Sequence, residues 1–405
     1  MRFSILLFLT ILSGCASQQK NSPPPETLPV KPLERNLDHK ELRVPNKLEV
    51  PSNFTLLPPV IPPIRAPSQV NTTSEWTGKI KTWLPNVAVD KDGWSQDIFQ
   101  AFYTQKINLS KENVCAAIAI INQESSFQVE PKIPGLSQIV KKELEARREK
   151  YHVPEWILEK ALNNTSPNGK TYSQRIKALR TESDINHLFD DMTNELPLGK
   201  QLLKDYNPVH TGGPMQVSLK FSEESVKETP YPFAIKRSLR DELFSRRGGV
   251  YFGVAHLLNY PANYDMMKYR FADFNSGRYA SRNAAFQTLV SKITHQRLDL
   301  DGDLLAYKDG KPEESDLEKM VLRIRGPLQM TAQEISSDLT LEKSKDFEGT
   351  GLYKNIYRLA RMKNISVPYA IIPSIKLHSP KIKRKLTTAW FTERVGEHYQ
   401  SCLAM

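Results

Sequence analysis

The chain has 405 residues, of which 39% are hydrophobic, and it carries a formal net charge of +11. Its length and apolar content are sufficient for one or more packed domains, so a chain that is disordered throughout is excluded. The excess of basic residues favours a polyanionic partner, such as a cell-wall glycan or an anionic lipid surface.

The first fifteen residues, MRFSILLFLTILSGC, are typical of a secretory signal peptide. Their apolar run is too short to span a bilayer as a stable helix. Leu12 to Cys15 resemble the bacterial lipobox, whose cysteine is lipidated and becomes the mature N-terminus; an ordinary signal peptide with an incidental Cys15 is the alternative. Ala16, after Cys15, resembles lipoproteins of the Gram-negative outer membrane. We therefore expect a lipid-anchored outer-membrane protein whose folded part lies in the periplasm and meets no nucleic acid.

Residues 16–72 contain 12 of the 28 prolines of the chain. Because proline fixes φ and removes a backbone donor, this density excludes a regular helix or sheet and predicts a semi-extended tether. We expect the folded part to begin near Thr73, with a main domain over 73–298 and a C-terminal helical extension over 299–405.

Helical periodicity dominates after the tether. Apolar residues recur at helical spacing in segments at roughly 94–106, 110–124, 137–150, 154–163, 171–195 with a break, 236–245, 248–259, 281–293, 314–325, 350–363 and 386–402. Segments of alternating polar and apolar residues are nearly absent. We therefore predict a mostly α fold.

The cysteines and acidic residues give weaker signals. Once Cys15 is lipidated, Cys115 and Cys402 remain; they either pair in an oxidising compartment or stay as two buried thiols, and both alternatives are open.

The segment 299–303, DLDGD, lacks the glycine and glutamate positions of a calcium loop, so we interpret it as a turn. Because the eight histidines are scattered, we predict no metal site and no cofactor.

Glu124 is the strongest candidate for a catalytic group. The segment 113–127, NVCAAIAIINQESSF, places apolar residues on one face of a predicted helix that Ser110 caps. Glu124 shares that face, within about 20° of Ala117 at 100° per residue. Partial burial would raise the pKa of the Glu124 carboxyl towards neutrality, as a general acid requires. The alternative is a fraying helix end with Glu124 in water.

Four short fragments follow in a definite order along the chain. They are Glu124-Ser125-Ser126-Phe127, Gly213-Pro214-Met215-Gln216-Val217, Val250-Tyr251-Phe252-Gly253 with Leu257-Leu258, and Ala272-Asp273-Phe274-Asn275-Ser276-Gly277. Together these fragments resemble the lytic transglycosylases of the lysozyme-like superfamily. The chain as a whole also resembles an uncharacterised, YaiW-like family of bacterial lipoproteins.

The resemblance implies a lysozyme-like helical domain that cleaves peptidoglycan between N-acetylmuramic acid and N-acetylglucosamine. Glu124 would be the single catalytic acid, because the muramyl 6-hydroxyl of the substrate acts as the nucleophile and closes a 1,6-anhydro ring. The other matched positions are expected to contact the glycan or to support the site: Ser125, Gly213, Met215, Gln216 and Asn275. A helix-end hydroxyl is the alternative for Ser125, and ordinary turns are the alternative for the glycine-containing fragments.

Two departures from the family pattern keep other functions open. Phe274 stands where the family has a tyrosine whose hydroxyl approaches the acid, so Tyr251 or Tyr269 would have to replace it. A predicted helical insertion at about 135–206 would either roof the glycan groove or block it. The alternatives are therefore a lysozyme-like lipoprotein that binds glycan or an envelope protein partner without cleavage, and an envelope lipoprotein that keeps only the fold.

Overall fold

We describe the fold from a computed structural model of the chain. The structure describes residues 73–150, 152, 154–195, 209–308, 311–377 and 386–405. The predicted lipidation of Cys15, the signal peptide and tether over residues 1–72, and the end of the predicted insertion lie outside these residues.

The mostly α prediction is confirmed, because the described residues form seventeen α-helices. The helices are α1 Thr73–Trp83, α2 Lys91–Thr104, α3 Lys111–Ser125, α4 Leu136–Lys150, α5 Glu155–Leu162, α6 Tyr172–Ala178, α7 Glu182–Asn194, α8 Leu219–Glu228, α9 Leu239–Phe244, α10 Arg246–Leu258, α11 Met267–Ser276, α12 Ala280–Thr294, α13 Asp316–Arg323, α14 Arg325–Leu328, α15 Ala332–Leu339, α16 Gly351–Met362 and α17 Thr388–Leu403. A 3-10 helix, Lys345–Gly349, precedes α16.

The strands form three antiparallel pairs of two or three residues per strand. They are β1 Thr211–Gly212 with β2 Val217–Ser218, β3 Ala306–Lys308 with β4 Lys311–Glu313, and β5 Lys376–Leu377 with β6 Leu386–Thr387. In the first pair, Gly212 lies opposite Val217, so the intervening residues make a tight turn.

Four clusters of buried apolar side chains hold the described elements together, and the smallest joins Tyr260 and Tyr264, after α10, to Tyr279 and Ala370. The other three are larger. The first core takes residues from α1, α2, α3, the β1–β2 hairpin, α10, α11 and α17. The second core is built from α12 and the helices α13 to α16. A smaller insertion core joins α4 to α7. Within the described ranges, no helix combines the length and the apolar character needed to cross a membrane.

The helix α17 belongs to the first core although it ends the chain. Phe391 and Val395 are buried in this core, and the sulfur of Cys402 is bonded to that of Cys115 in α3, across 287 positions of sequence. Nζ of Lys111, at the start of α3, donates to the carbonyl of Leu403 at 2.9 Å. The predicted extension over residues 299–405 is therefore shared between the second core and the first.

Candidate functional site

Glu124 lies in the last turn of α3, where a buried helix reaches the surface. The residues at 113–121 of α3 are all buried, whereas Glu124 is partly exposed. Beside it, Ser125 is buried and its Oγ donates to the carbonyl of Ile121 at 2.9 Å. The Ser125 hydroxyl therefore satisfies a helix-end carbonyl, which is the alternative role that the sequence leaves open. The carboxyl of Glu124 is the ionisable group that α3 brings to this boundary.

The chain reverses direction directly after Ser125. Ser126 and Phe127 both have left-handed backbone conformations, with φ of 50° and 61°. For residues that carry a side chain, this conformation is unfavourable by about 1 kcal/mol or more. Burial of the Phe127 ring, which meets Trp94 edge-on at 5.1 Å between centroids, offsets that energy. The turn after Glu124 is thus anchored on a buried aromatic pair.

A charged cluster covers this aromatic pair. The guanidinium carbon of Arg246 lies 5.5 Å from the centre of the Trp94 ring. Nε of Arg246 donates to Asp97 at 2.5 Å and Nη1 donates to Asp90 at 2.6 Å. The hydrogen bond from Arg246 lowers the pKa of the Asp90 carboxyl. These charged hydrogen bonds tie the start of α10 to α2 beside the turn that follows Glu124.

The second predicted fragment forms the turn between β1 and β2. Gly213 has a φ of +73°, and a Cβ at this position would lie 2.2 Å from the carbonyl oxygen of Leu243. Met215 is fully buried against α10, where a Cβ on Gly253 would lie 2.2 Å from the sulfur of Met215. These glycines therefore permit close packing of the hairpin onto α9 and α10. A contact between Met215 and a glycan would require this core to open.

Gln216 links the hairpin to the insertion. Its Nε2 donates to Oε2 of Glu182 at 3.0 Å, and its Oε1 accepts a hydrogen bond from Thr211 at 3.3 Å. Glu182 is the first residue of α7, and a second contact from this helix joins Nε2 of His187 to Oδ1 of Asp241 at 3.1 Å. The insertion therefore docks on the elements that carry Gln216.

Asn275 lies at the end of α11, beside the start of α17. Its Oδ1 accepts a hydrogen bond from Oγ1 of Thr388 at 3.2 Å, and Oγ of Ser276 lies 3.1 Å from the same hydroxyl. The ring of Phe274 packs against His256 at 5.0 Å between centroids, so this position supplies no hydroxyl. Asn275 thus connects the fourth fragment to the C-terminal helix.

The four fragments share the first core, because each contributes side chains to it. Glu124, Gln216 and Asn275 are partly exposed, whereas Ser125 and Met215 are buried. The partly exposed side chains are carboxyl and amide groups, which can exchange protons or hydrogen bonds with a sugar. The buried positions support the backbone that carries them.

Three supporting residues escape sequence analysis. Each of them contacts a predicted fragment through a partner far away in sequence: Trp94 with Phe127, Glu182 with Gln216, and Thr388 with Asn275. Because no local motif marks such long-range pairs, a single sequence carries no signal for them.

The acidic segment near residue 300 forms a turn. Oδ1 of Asp301 accepts hydrogen bonds from Nε2 of Gln287 at 2.7 Å and from the backbone N–H of Asp303 at 3.1 Å. Across the part of the chain that the structure describes, no three or more His, Cys, Asp or Glu side chains are grouped so as to hold a metal ion.

Comparison with known proteins relates the chain to an uncharacterised group. Residues 87–405 match a family described as "Protein of unknown function (DUF1615)". The "Uncharacterized protein YaiW" of Escherichia coli (strain K12) is 45% identical over 325 residues, which are 80% of this chain and 88% of that protein. No solved structure matches the chain. Neither description names an activity or a ligand.

Proposed function

The chain belongs to the DUF1615 family, and we propose that it is an outer-membrane lipoprotein whose lysozyme-like domain cleaves peptidoglycan as a lytic transglycosylase. Glu124 is the proposed catalytic acid. The observation that supports this proposal most directly is the position of Glu124, partly exposed at the end of a helix that is otherwise buried from 113 to 121. The anchored turn after it holds the backbone of this helix end in place.

The chemistry requires one carboxyl group from the protein. Protonated Glu124 donates its proton to the glycosidic oxygen while the bond from that oxygen to the muramyl C1 breaks. The muramyl 6-hydroxyl attacks C1 and gives its proton to the Glu124 carboxylate. The products are a new glycan end, a 1,6-anhydromuramyl end and the regenerated acid. Because the nucleophile comes from the substrate, the second carboxylate of ordinary glycosidases is not required.

A second candidate function is binding of glycan without cleavage. Phe274 supplies no hydroxyl to an acid, and the amide of Gln216 is already bonded to Glu182 of the insertion. The two tyrosines that would replace the missing hydroxyl pack within aromatic clusters, Tyr251 against Tyr231 and Tyr269 against Tyr264. These contacts favour a site that recognises glycan strands but lacks full catalytic support.

Zymography on purified peptidoglycan, with mass spectrometry of the soluble products, tests the proposal. We expect the wild type to release muropeptides with 1,6-anhydromuramyl ends, and Glu124→Gln to lower the rate by at least about 10²-fold. Glutamine keeps the size and much of the hydrogen-bonding capacity of the side chain, so the fold should be retained. Glu314→Gln, the same exchange at an exposed glutamate near the second core, is the matched control and should keep full activity.

Two outcomes would redirect the assignment. If the wild type binds sacculi but releases no muropeptide between pH 5 and 8, glycan binding replaces cleavage as the function. If Glu124→Gln keeps wild-type activity, the lytic group is a different residue. For the proposed location, membrane fractionation of Cys15→Ala is decisive, since a chain without a lipid should move to the soluble periplasmic fraction.

A further inference from the structure

A cavity of about 500 Å³ lies where the end of α10 meets α8, the turn after α11 and the loop before β3. His256 and Arg278 are among the residues that line it. At the other end of α10, Arg246 covers Trp94 and so lies beside the turn that follows Glu124. A helix rises about 1.5 Å per residue, so His256 lies about 15 Å along α10 from Arg246. The cavity is therefore remote from the turn that follows Glu124, although Ser276 and Gly277 of the fourth fragment line it.

Arg278 is a partly buried cation held in one orientation. Its Nε donates to the carbonyl of His256 at 3.2 Å and its Nη2 donates to the carbonyl of Ala255 at 2.6 Å. The guanidinium carbon lies 4.6 Å from the ring centre of Phe221 and 5.1 Å from that of Tyr260. Helix-end carbonyls thus take one edge of the guanidinium, and the rings fix its plane.

The charge of Arg278 is only partly compensated. Within the described residues no carboxylate forms an ion pair with it, although Glu228 is close enough to act on it electrostatically. Burial lowers the pKa of the Arg278 guanidinium, yet an arginine remains charged in proteins. A desolvated cation without a counterion is unfavourable. An anion in the cavity would offset the unfavourable energy of the desolvated charge. It would accept hydrogen bonds from the guanidinium N–H groups that are not bonded to the carbonyls of α10.

His256 supplies a hydrogen-bond acceptor at the same place. Its Nε2 lies 3.3 Å from the carbonyl oxygen of Phe274, and a carbonyl can only accept, so Nε2 carries the proton. Burial lowers the pKa of His256 to about 3, which keeps the ring neutral at physiological pH. Nδ1 is then an unprotonated acceptor. It is buried and has no hydrogen-bond partner among the described residues.

The remaining charges around the cavity limit how much negative charge a ligand can carry. The other charged side chains that line it are Lys106, Glu224, Glu228, Asp303 and Lys343. Lys343 and Asp303 form an ion pair at 3.3 Å. The rest, Lys106, Glu224 and Glu228, add one positive and two negative charges, but neither glutamate is paired directly with Arg278. A doubly charged phosphate would meet repulsion from the two glutamates, whereas a carboxylate needs one cation.

We propose that this cavity binds a small carboxylate that also carries an N–H or O–H donor, with the carboxylate on Arg278 and the donor on Nδ1 of His256. The competing explanation is that Arg278 only caps the carbonyls at the end of α10. Capping accounts for one edge of the guanidinium. It does not account for the unused acceptor of His256 beside a cavity of this volume.

Calorimetric titration of the full-length protein with N-acetylalanine tests the site. This probe has a carboxylate and an N–H donor, and its N-methylamide derivative lacks the charge. We expect N-acetylalanine to bind and the methylamide and inorganic phosphate not to bind. Arg278→Gln should weaken binding by at least about tenfold. Arg325→Gln, the same exchange at an exposed arginine, is the matched control and should leave the binding of N-acetylalanine unchanged.

The role of His256 is tested with a second probe. Acetate has the carboxylate but no hydrogen-bond donor. His256→Phe should therefore weaken the binding of N-acetylalanine and leave the binding of acetate unchanged. In ¹⁵N-histidine spectra, N-acetylalanine should shift the Nδ1 resonance of His256. If Arg278 only capped the helix, this resonance would not change. Binding of phosphate as tight as that of N-acetylalanine, or an Nδ1 signal that no probe shifts, would overturn the proposal. The proposal is independent of Glu124, so Glu124→Gln should bind N-acetylalanine like the wild type.

Discussion

Gly213 has a left-handed backbone and almost no space for a side chain, and these two effects can be separated by mutation. Its φ is +73°, and a Cβ would lie 2.2 Å from the backbone oxygen of Leu243. Gly169 has a φ of +78° but nothing within 4 Å of its Cβ position. We expect Gly169→Ala to lower the free energy of unfolding by about 1 kcal/mol, from backbone conformation alone. Gly213→Ala should lower it by about 3 kcal/mol, because overpacking is added.

Urea denaturation of the two variants measures this difference. Equal losses would mean that the β1–β2 turn moves away from α9 without resistance. In that case the glycine at position 213 would serve another purpose, and close approach of a sugar to the backbone would become the better explanation. The sequence alone cannot distinguish these roles, because both require the same residue.

The sequence marks candidate site residues, but the structure decides which of them are exposed. The apolar run before Glu124 predicts its helix, and Ser110 caps that helix through a hydrogen bond from the N–H of Asn113 at 3.2 Å. The motif also marks Met215, but its side chain is fully buried. A motif records which residues occur together, whereas exposure depends on what packs against them from distant parts of the chain.

At the level of elements, the disulfide joins two helices that run antiparallel. Cys402 of α17 is bonded to Cys115 of α3, and Nδ2 of Asn122, later in α3, lies 3.0 Å from Nδ1 of His398, earlier in α17. The bond closes a loop of 287 positions. We expect Cys115→Ala and Cys402→Ala each to lower the free energy of unfolding by about 5 kcal/mol, because the unfolded chain gains entropy when this loop opens.

Guanidinium denaturation with and without dithiothreitol measures this loss. Reduction should lower the free energy of unfolding of the wild type to that of the variants, and it should leave the free energy of unfolding of the variants unchanged. The double variant should be little less stable than either single variant, because one substitution already breaks the bond. A wild type with the same unfolding midpoint in both conditions would show that the disulfide contributes nothing to stability.

The hydrophobic pattern of the sequence missed several helices, and α11 shows one physical reason. Five observed helices have no counterpart among the predicted segments: α1, α8, α11, α14 and α15. In α11, two core positions are taken by Arg270 and Asp273, which are 1% and 0% exposed. Asp273 accepts hydrogen bonds from the Tyr260 hydroxyl at 3.0 Å and the Ser281 N–H at 2.7 Å. Burial raises the pKa of Asp273, which these hydrogen bonds oppose. A hydrophobic pattern does not detect a core built in this way.

At the scale of the whole molecule, sequence order and packing diverge. The predicted boundary near residue 298 follows α12, yet Phe286 and Leu289 of α12 belong to the second core. The C-terminal helix returns to the first core after the second core has been completed. Neither arrangement has a local signal in the sequence, because the packing partners of each helix come from distant segments of the chain.

The insertion is the part of the molecule most independent of the rest. Its helices α4 to α7 bury their own apolar cluster, separate from the first core. Polar contacts join α7 to the neighbouring elements, including Gln216 with Glu182 at 3.0 Å and His187 with Asp241 at 3.1 Å. Such contacts between partly exposed side chains contribute little to stability compared with a shared apolar core. We therefore expect the insertion to unfold locally while the first core stays folded.

Two matched substitutions test this independence. Leu158 is 6% exposed in the insertion core and Leu257 is 0% exposed in the first core, and a buried Leu→Ala exchange lowers stability by about 2 to 5 kcal/mol. In hydrogen exchange, Leu158→Ala should speed exchange in α4 to α7 and leave α3 protected. Leu257→Ala should speed exchange in α3, α10 and α17 together, because these helices share one core. If Leu158→Ala speeds exchange in α3 as much as in α5, the insertion and the first core form one cooperative unit. The predicted roofing of a glycan groove by the insertion would then require the first core to move as well.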